Sequence, residues 1–282
     1  MFGRNIGFVN GAEQERLRTT PVFICGVGGM GGACLYSLVR SGFENLGIAD
    51  IDIFEISNLN RQMFANLSTI GTDKAESSVQ QIAQLNPAAK VKNWGHDWLD
   101  KLDQILSEYK IIVNGTDDLK ASLQLYRKAR EHGCTVIDAY TSPLPSIYIT
   151  RPTDKMPEER LGFPSVGRDI QQLTPADIDR CKLAEVVFVM TNSSSIKHID
   201  FAIAMEMVQG KRSRMSLAPM VITTGNLMAY QVFYLALGKP TAIGPDGVFF
   251  NPQLGLCEKP GFILIRKIKE LAVRLYLRKV MP

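Results

Sequence analysis

Val22-Phe-Ile-Cys25-Gly26-Val-Gly28-Gly29-Met-Gly31-Gly32 joins a short apolar run to a cluster of glycines, and its reading decides the fold. Four apolar residues that stop at glycine read as a buried strand. Residues 33–41 then place Leu35, Leu38 and Val39 on one side, so a helix follows. Residues 46–51 read as a second strand, which ends in Asp50 and Asp52. Strand, glycine turn, helix and strand within fifty residues are the βαβ unit of a doubly wound sheet. Gly26, Gly28 and Gly31 satisfy G-x-G-x-x-G. Glycine there permits a tight turn and lets backbone N–H groups at a helix N-terminus approach phosphates. Asp50 falls where a carboxylate can bond a ribose hydroxyl. This much fits NAD, FAD, an S-adenosyl ligand or ATP, and equally a tight turn with no ligand.

Outward from that unit the alternation continues. Residues 72–85 carry Ala75, Val79, Ile82 and Ala83 at helical spacing, and Pro87 stops them. Residues 111–114 read as a strand, 120–131 as a helix closed by Gly133, and 135–139 and 147–150 as further strands. The expectation is an α/β protein with a doubly wound, Rossmann-like, mostly parallel sheet. From 151 to 216 the pattern breaks, with Pro152, Pro157, Pro164 and Pro175 among clustered charges. This stretch reads as a long irregular crossover segment with a helix at 199–208. Residues 220–237 return to a buried helix, 247–250 to a strand, and 262–281 to a basic amphipathic helix. In the last, Leu264, Ile268, Leu271, Ala272 and Leu275 share a face, with Arg266, Lys267, Lys269, Arg274, Arg278 and Lys279 mostly elsewhere. Such a helix suits RNA, an acidic peptide or a membrane surface, or it packs on its own domain with a solvated basic side.

Composition narrows the classes. The chain has 282 residues, 45% hydrophobic and 21% charged, which excludes disorder and fibrous repeats as global descriptions. A net charge of +4 is too small to imply nucleic acid by itself. Cys25, Cys34, Cys134, Cys181 and Cys257 include no C-x-x-C pair, so reduced thiols are expected, with no structural zinc. The start lacks a basic segment before an apolar run, and a cytoplasmic location is expected. Residues 217–238 carry no charge but include Pro219, Asn226 and Gln231, so a buried loop and helix is expected and no membrane span.

The segment beyond the second strand is more informative: Asp50-Ile-Asp52-Ile-Phe-Glu55-Ile-Ser57-Asn58-Leu-Asn60-Arg61-Gln62. A dehydrogenase has no use for Asn and Arg just past its ribose-binding strand, whereas an enzyme handling a triphosphate does. Arg61 can present a planar fork to phosphate oxygens, and Asn58 an amide donor. Lys74 opens the next helix, where it can offset charge on an α-phosphate and a leaving pyrophosphate. Asp117 lies just past the strand at 111–114, where a carboxylate can hold Mg²⁺ or merely cap the next helix.

Taken in order, these residues resemble the ThiF/MoeB/HesA superfamily, the fold of ubiquitin-activating enzymes. The resemblance rests on Gly26-Val-Gly28-Gly29-Met-Gly31, Asp50-x-Asp52, Ser57-Asn58-Leu-Asn60-Arg61-Gln62, Lys74-Ala75-Glu76 and Thr116-Asp117, with Arg4-Asn5-Ile6 as a leader. It is dense over 1–150 and looser over 215–255. It implies a single adenylation domain over 1–282: an N-terminal arm at 1–20, an ATP-binding half at 21–150, a variable crossover at 151–216, and a late helix, strand and basic helix at 217–282. It implies ATP and Mg²⁺ as cofactors, and attack of a substrate carboxylate on the α-phosphorus to give an acyl-adenylate and pyrophosphate. By position Gly26, Gly28, Gly29, Gly31, Asp50 and Asp52 would cradle the nucleotide. Asn58, Arg61 and Lys74 would bind phosphates, and Asp117 the metal. Arg4 would reach into the partner's site of a homodimer. The expected substrate is the C-terminus of a ubiquitin-like carrier or a peptide. A tRNA threonylcarbamoyladenosine dehydratase-like enzyme and a catalytically silent scaffold are the alternatives, and tRNA is the less favoured partner. The family's two zinc-binding C-x-x-C pairs are missing here. Cys181, flanked by Arg180 and Lys182, is a candidate acyl or sulfur acceptor if those cations lower its pKa.

Overall fold

The computed structural model describes residues 1–208, 211–213 and 215–280, so Met281, at the end of the expected tail helix, lies outside the described residues. After a 3₁₀ turn at Gly3–Asn5, the elements run α1 (Gly11–Thr19), β1 (Val22–Cys25), α2 (Gly29–Arg40), β2 (Asn45–Ala49), α3 (Lys74–Leu85) and β3 (Lys90–Asn93). Next come α4 (Leu102–Glu108), β4 (Ile111–Asn114), α5 (Leu119–Glu131), β5 (Thr135–Asp138) and β6 (Ser146–Thr150). The rest are α6 (Pro157–Leu161), α7 (Pro175–Asn192), α8 (Phe201–Val208), α9 (Ala218–Ala236), β7 (Val248–Asn251), β8 (Leu256–Glu258) and α10 (Ile263–Val280). By internal contacts the chain divides into two compact units.

The first unit comprises Met1–Asp138, Ile149–Asp154 and Leu217–Ala242. Its strands are parallel: Val22 of β1 sits opposite Leu46 of β2 on one side and Ile111 of β4 on the other. Strand order in the sheet is β3-β2-β1-β4-β5-β6-β7-β8, so the fold is α/β and mostly parallel, as the alternation requires. Chain direction across the sheet reverses between β1 and β4, and in such sheets ligands sit beyond the carboxyl ends of the strands at that point. Every residue of β1 is wholly buried, which its unbroken apolar sequence demands. β3, with Lys90 and Lys92 exposed, forms a charged edge that resists pairing with another chain.

α2 is backed by α9, and glycine sets their approach. A Cβ on Gly225 of α9 would lie 2.5 Å from the Met30 carbonyl oxygen and 2.6 Å from Ala33 Cβ. The uncharged stretch at 217–238 is therefore a helix of the core. No helix among the described residues is long and apolar enough to cross a membrane.

The second unit comprises Ala139–Tyr148, Lys155–Ser216 and Ile243–Pro282. β6, β7 and β8 pair antiparallel within it. The Arg160 guanidinium is buried among Tyr140, Tyr148 and Phe188, 5.4–5.9 Å from their ring centres. The crossover is not the irregular segment that its prolines suggest. It is largely helical, and the expected helix at 199–208 is only its last part. α7 runs for 18 residues from an N-cap at Thr174, whose hydroxyl accepts from Asp177 N while the Asp177 carboxylate accepts from Thr174 N. Pro175 occupies the first helical position, where a missing N–H costs nothing, so it starts this helix rather than breaking it.

The loop after β1 fixes a measurable constraint. A Cβ on Gly31 would lie 1.9 Å from the Gly26 carbonyl oxygen, a backbone atom that cannot yield, whereas one on Gly244 meets nothing within 4 Å. Gly31→Ala is expected to cost about 2–3 kcal/mol of stability in urea unfolding. Gly244→Ala should stay within about 0.5 kcal/mol of the parent. Equal stabilities for the two variants would contradict this packing.

Candidate functional site

The ends of β1 and β4 meet without side chains between them. Gly115 N donates to Cys25 O at 2.7 Å and Gly26 N to Ala49 O at 2.7 Å, so the ladder runs on into the loop. Gly26 has a φ of +80°, and a Cβ there would sit 2.5 Å from the Gly115 carbonyl carbon. No side chain but hydrogen satisfies both conditions. α2 then starts at Gly29, earlier than the apolar spacing suggests. Its N-cap, Gly28, supplies no side-chain acceptor, so the first N–H groups of α2 face the loop uncapped by any side chain from that position. A helix start of this kind attracts a phosphate.

Asp50, just past β2, is buried and accepts from Val27 N at 2.7 Å and from Asp52 N at 3.0 Å. It clamps the glycine loop. Burial pushes its carboxyl above the usual carboxylate range, while the two N–H donors and Lys74 oppose that push. Lys74, the first residue of α3, is itself buried, and its ammonium lies 2.9 Å from Asp52 Oδ2. Asp52 is exposed, so this pair sits at the edge of the site with its cation inside and its anion outside.

The polar segment forms a 3₁₀ turn at Ile56–Asn58. Asn58 is buried, and its Oδ1 accepts from Glu55 N at 3.1 Å, so the amide that the sequence assigns to phosphate braces the turn. Arg61 Nη1 donates to Ser57 O and to Asn60 Oδ1, each at 2.9 Å, and its Cγ would be 4.0 Å from a Cβ on Gly29. The turn thus lays Arg61 alongside the start of α2. Next to it is Gln62, a residue to which the sequence alone attaches no role. Gln62 is buried, its amide would touch a Cβ on Gly28 at 3.4 Å, and its Oε1 has no hydrogen-bond partner among the described residues. A buried acceptor without a donor is costly unless a ligand supplies one. Nothing in its spacing marks Gln62, and only the folded chain brings it to the loop.

Asp117 follows Thr116, whose backbone N would lie 2.7 Å from a Gly26 Cβ. The cap of α5 is its neighbour: Asp118 Oδ1 accepts from Ala121 N at 3.0 Å. Asp117 is left exposed at the carboxyl end of β4, which disposes of the capping alternative for it. Among the described residues no group of three or more His, Cys, Asp or Glu is placed to hold a metal ion. One carboxylate with phosphate oxygens as the remaining ligands fits Mg²⁺.

The ThiF family model matches residues 2–253. The chain belongs to the ThiF family. A probable molybdopterin-synthase adenylyltransferase of Porphyra purpurea is 36% identical over 107 residues, 37% of this chain and 28% of that protein. The curated relatives are thus matched over about a quarter of their own length, 28% in that case and 27% for a probable adenylyltransferase/sulfurtransferase, MoeZ, of Mycobacterium tuberculosis, which is 32% identical over 37% of this chain. Among solved structures, PaaA superposes over 89% of this chain and 76% of its own, with a TM-score of 0.61 at 21% identity. These agreements establish the family and its fold.

Two further residues singled out by the ThiF resemblance lie away from the loop in sequence. Arg4 is exposed in the first 3₁₀ turn. Its neighbour Asn5 donates to Gln14 Oε1 at 2.9 Å and to Ser41 O at 3.1 Å, which ties the arm to the end of α2. Cys181 does not meet the condition set for it. It is fully buried on α7, and burial, with Glu185 and Asp177 nearby, pushes its thiol up to about 11. Arg180 is spent on Asp177 instead of lowering the thiol. The structure therefore corrects the reading of Cys181 as an acyl or sulfur acceptor. Cys257 is exposed and the other four cysteines are buried. An aromatic disulfide reagent should titrate Cys257 rapidly in the native protein and Cys181 only after unfolding. Rapid native labelling of Cys181, read by peptide mapping, would reverse this assignment.

Proposed function

We propose that this ThiF-family chain adenylates a substrate carboxylate with ATP and Mg²⁺. The observation that carries the reading is the set of groups gathered at the switch point between β1 and β4. These are the uncapped start of α2, the Asp50 clamp, Arg61 alongside Gly29, and the unpartnered Gln62 acceptor. In this reading a carboxylate oxygen bonds to the α-phosphorus while the α–β anhydride bond breaks. Acyl-adenylate and pyrophosphate are the products. The N–H groups of α2 and Arg61 offset phosphate charge, which grows at the α-phosphate and the leaving group. Asp50 accepts from a ribose hydroxyl, and Gln62 Oε1 accepts a hydrogen bond from the ligand. Lys74 holds a positive charge at the edge of the site. Asp117 would hold Mg²⁺, which when bound neutralises phosphate oxygens. No protein nucleophile is needed for this step.

The relatives' names support the reaction class, and the substrate we assign is a protein or peptide C-terminus. The family match, at residues 2–253, includes the arm, so we assign Arg4 to the site of a second copy in a homodimer. Exposed Ile51, Ile53 and Ile56 border the polar segment and support a covering chain there.

The test is pyrophosphate–ATP exchange with Mg²⁺, in the presence of peptide, carrier-protein or RNA fractions. Stimulation by peptide or carrier protein is the expected result. Stimulation by RNA alone would transfer the assignment to a tRNA-modifying enzyme, and ATP binding without exchange in any fraction to a silent scaffold. Arg61→Ala and Asp117→Ala should each lower exchange about 10²–10³-fold. Both should keep the parent's unfolding midpoint, because neither side chain is buried. Parent-level exchange in Asp117→Ala would remove the metal role. Arg4→Ala and Lys74→Ala proteins, each inactive alone, should recover exchange when mixed and allowed to trade subunits. No recovery after demonstrated subunit exchange would rule out Arg4 acting across the dimer.

A further inference from the structure

α10 is packed the wrong way round for a helix of a water-soluble core. Its inner side is made of Arg266, Glu270, Val273 and Leu277, of which Leu277 is buried and the others half-buried, and it packs on α7. At 100° per residue the opposite side carries Leu264, Ile268, Leu271 and Leu275. These are 65%, 70%, 61% and 56% exposed. A surface helix normally turns such a stripe inward. Phe262, Ile263 and Ile265, around the start of the helix, are exposed as well.

Charge says what the stripe faces. α10 holds six Lys and Arg against a single Glu, while the whole chain is only +4, so the remaining residues are close to neutral. Glu270 lies toward the inner side and is paired with Arg274 at 2.7 Å. Arg266, also inside, lies 3.6 Å from Asp246. Lys267, Arg274 and Arg278 flank one margin of the outward stripe, and Lys279 and Lys269 the other. Among the described residues of α10, no acidic side chain flanks it. Two copies of such a stripe brought together would set lysine and arginine against lysine and arginine. RNA would use the cations but leaves four large aliphatic side chains in water. A convex, single-helix stripe of Leu and Ile between two cationic margins matches a flat interface that is apolar below and anionic above.

We propose that α10 is an amphipathic anchor that lays the protein on an anionic lipid surface, with Leu264, Ile268, Leu271 and Leu275 among the acyl chains. The helix has 18 residues, which at about 1.5 Å each gives about 27 Å of contact along the interface. The placement is in the plane of the surface, since no helix among the described residues can cross a membrane. It does not depend on adenylation chemistry.

The full chain is sedimented with vesicles of phosphatidylcholine alone, or of phosphatidylcholine with about 30% phosphatidylglycerol. The expected result is binding to the anionic vesicles, at least about tenfold weaker on neutral ones and weakened by high salt. Ile268→Glu with Leu271→Glu should lower binding about tenfold or more. Because both side chains are exposed, far-ultraviolet dichroism and the unfolding midpoint should not change. Lys267→Glu with Arg278→Glu should weaken binding to anionic vesicles and leave weak binding to neutral ones. The proposal is overturned by no sedimentation with either vesicle, or by equal sedimentation of the Ile268→Glu, Leu271→Glu protein. It is also overturned if that protein loses a dimer that the parent forms without lipid, which would make a second copy the occupant. Salt-sensitive retention of RNA without vesicle binding overturns it as well.

Discussion

Everything in the first unit hangs on one close approach, where the chain leaving β1 touches the chain leaving β4 with no side chain between. Gly26 and Gly115 supply that contact, and Gly31 lets α2 rise directly over it. A methyl group at any of the three would push α2 away from the end of the sheet. The dipole of α2 would then point elsewhere, and Arg61 and Gln62, which lie against Gly29 and Gly28, would lose their neighbour. Asp50 adds the electrostatic half of the constraint by holding Val27 N. The site is therefore positioned by backbone packing, with its polar side chains arranged around a shape that they do not create.

A second regularity is the division of labour between adjacent polar residues. Asp118 takes the cap of α5 and leaves Asp117 exposed. Asn58 braces a turn while Arg61, three residues on, lies beside the glycine loop. Asn5 and Gln14 secure the arm, and Arg4 stands exposed next to them. In each case a residue that holds local structure stands close to one that is not buried.

Much of this was legible in the sequence. β1, β4 and α9 are short or long apolar runs bounded by glycine or proline, and burial follows directly from them. The glycine loop, Asp50 and the polar segment are residue types that suit a phosphate-handling site, and they are legible in order along the sequence. The sequence pattern starts α2 late, because glycine weakens a helical pattern even where a bare helix start is wanted. α7 is hidden in the sequence because its prolines resemble breakers, although Thr174-Pro-Ala-Asp177 carries its own start signal. The same holds for Cys181: a thiol that stands beside two cations in the sequence is inside a helix, facing the core. The role of Gln62 and the outward direction of the α10 stripe are not legible in the sequence. The first depends on a contact with Gly28, and the second on which side of a helix the domain uses.

The two compact units are not consecutive in the chain, which passes between them five times. The residues that end at Asp138 include every side chain of the proposed nucleotide site, yet not α9, which contributes Gly225 against α2. A fragment cut after Asp138 would therefore leave the buried side of α2 in water, and no single nick frees either unit whole. For this protein, modular dissection by truncation is closed by the path of the backbone, and a working half would have to be made by rejoining the chain in a different order.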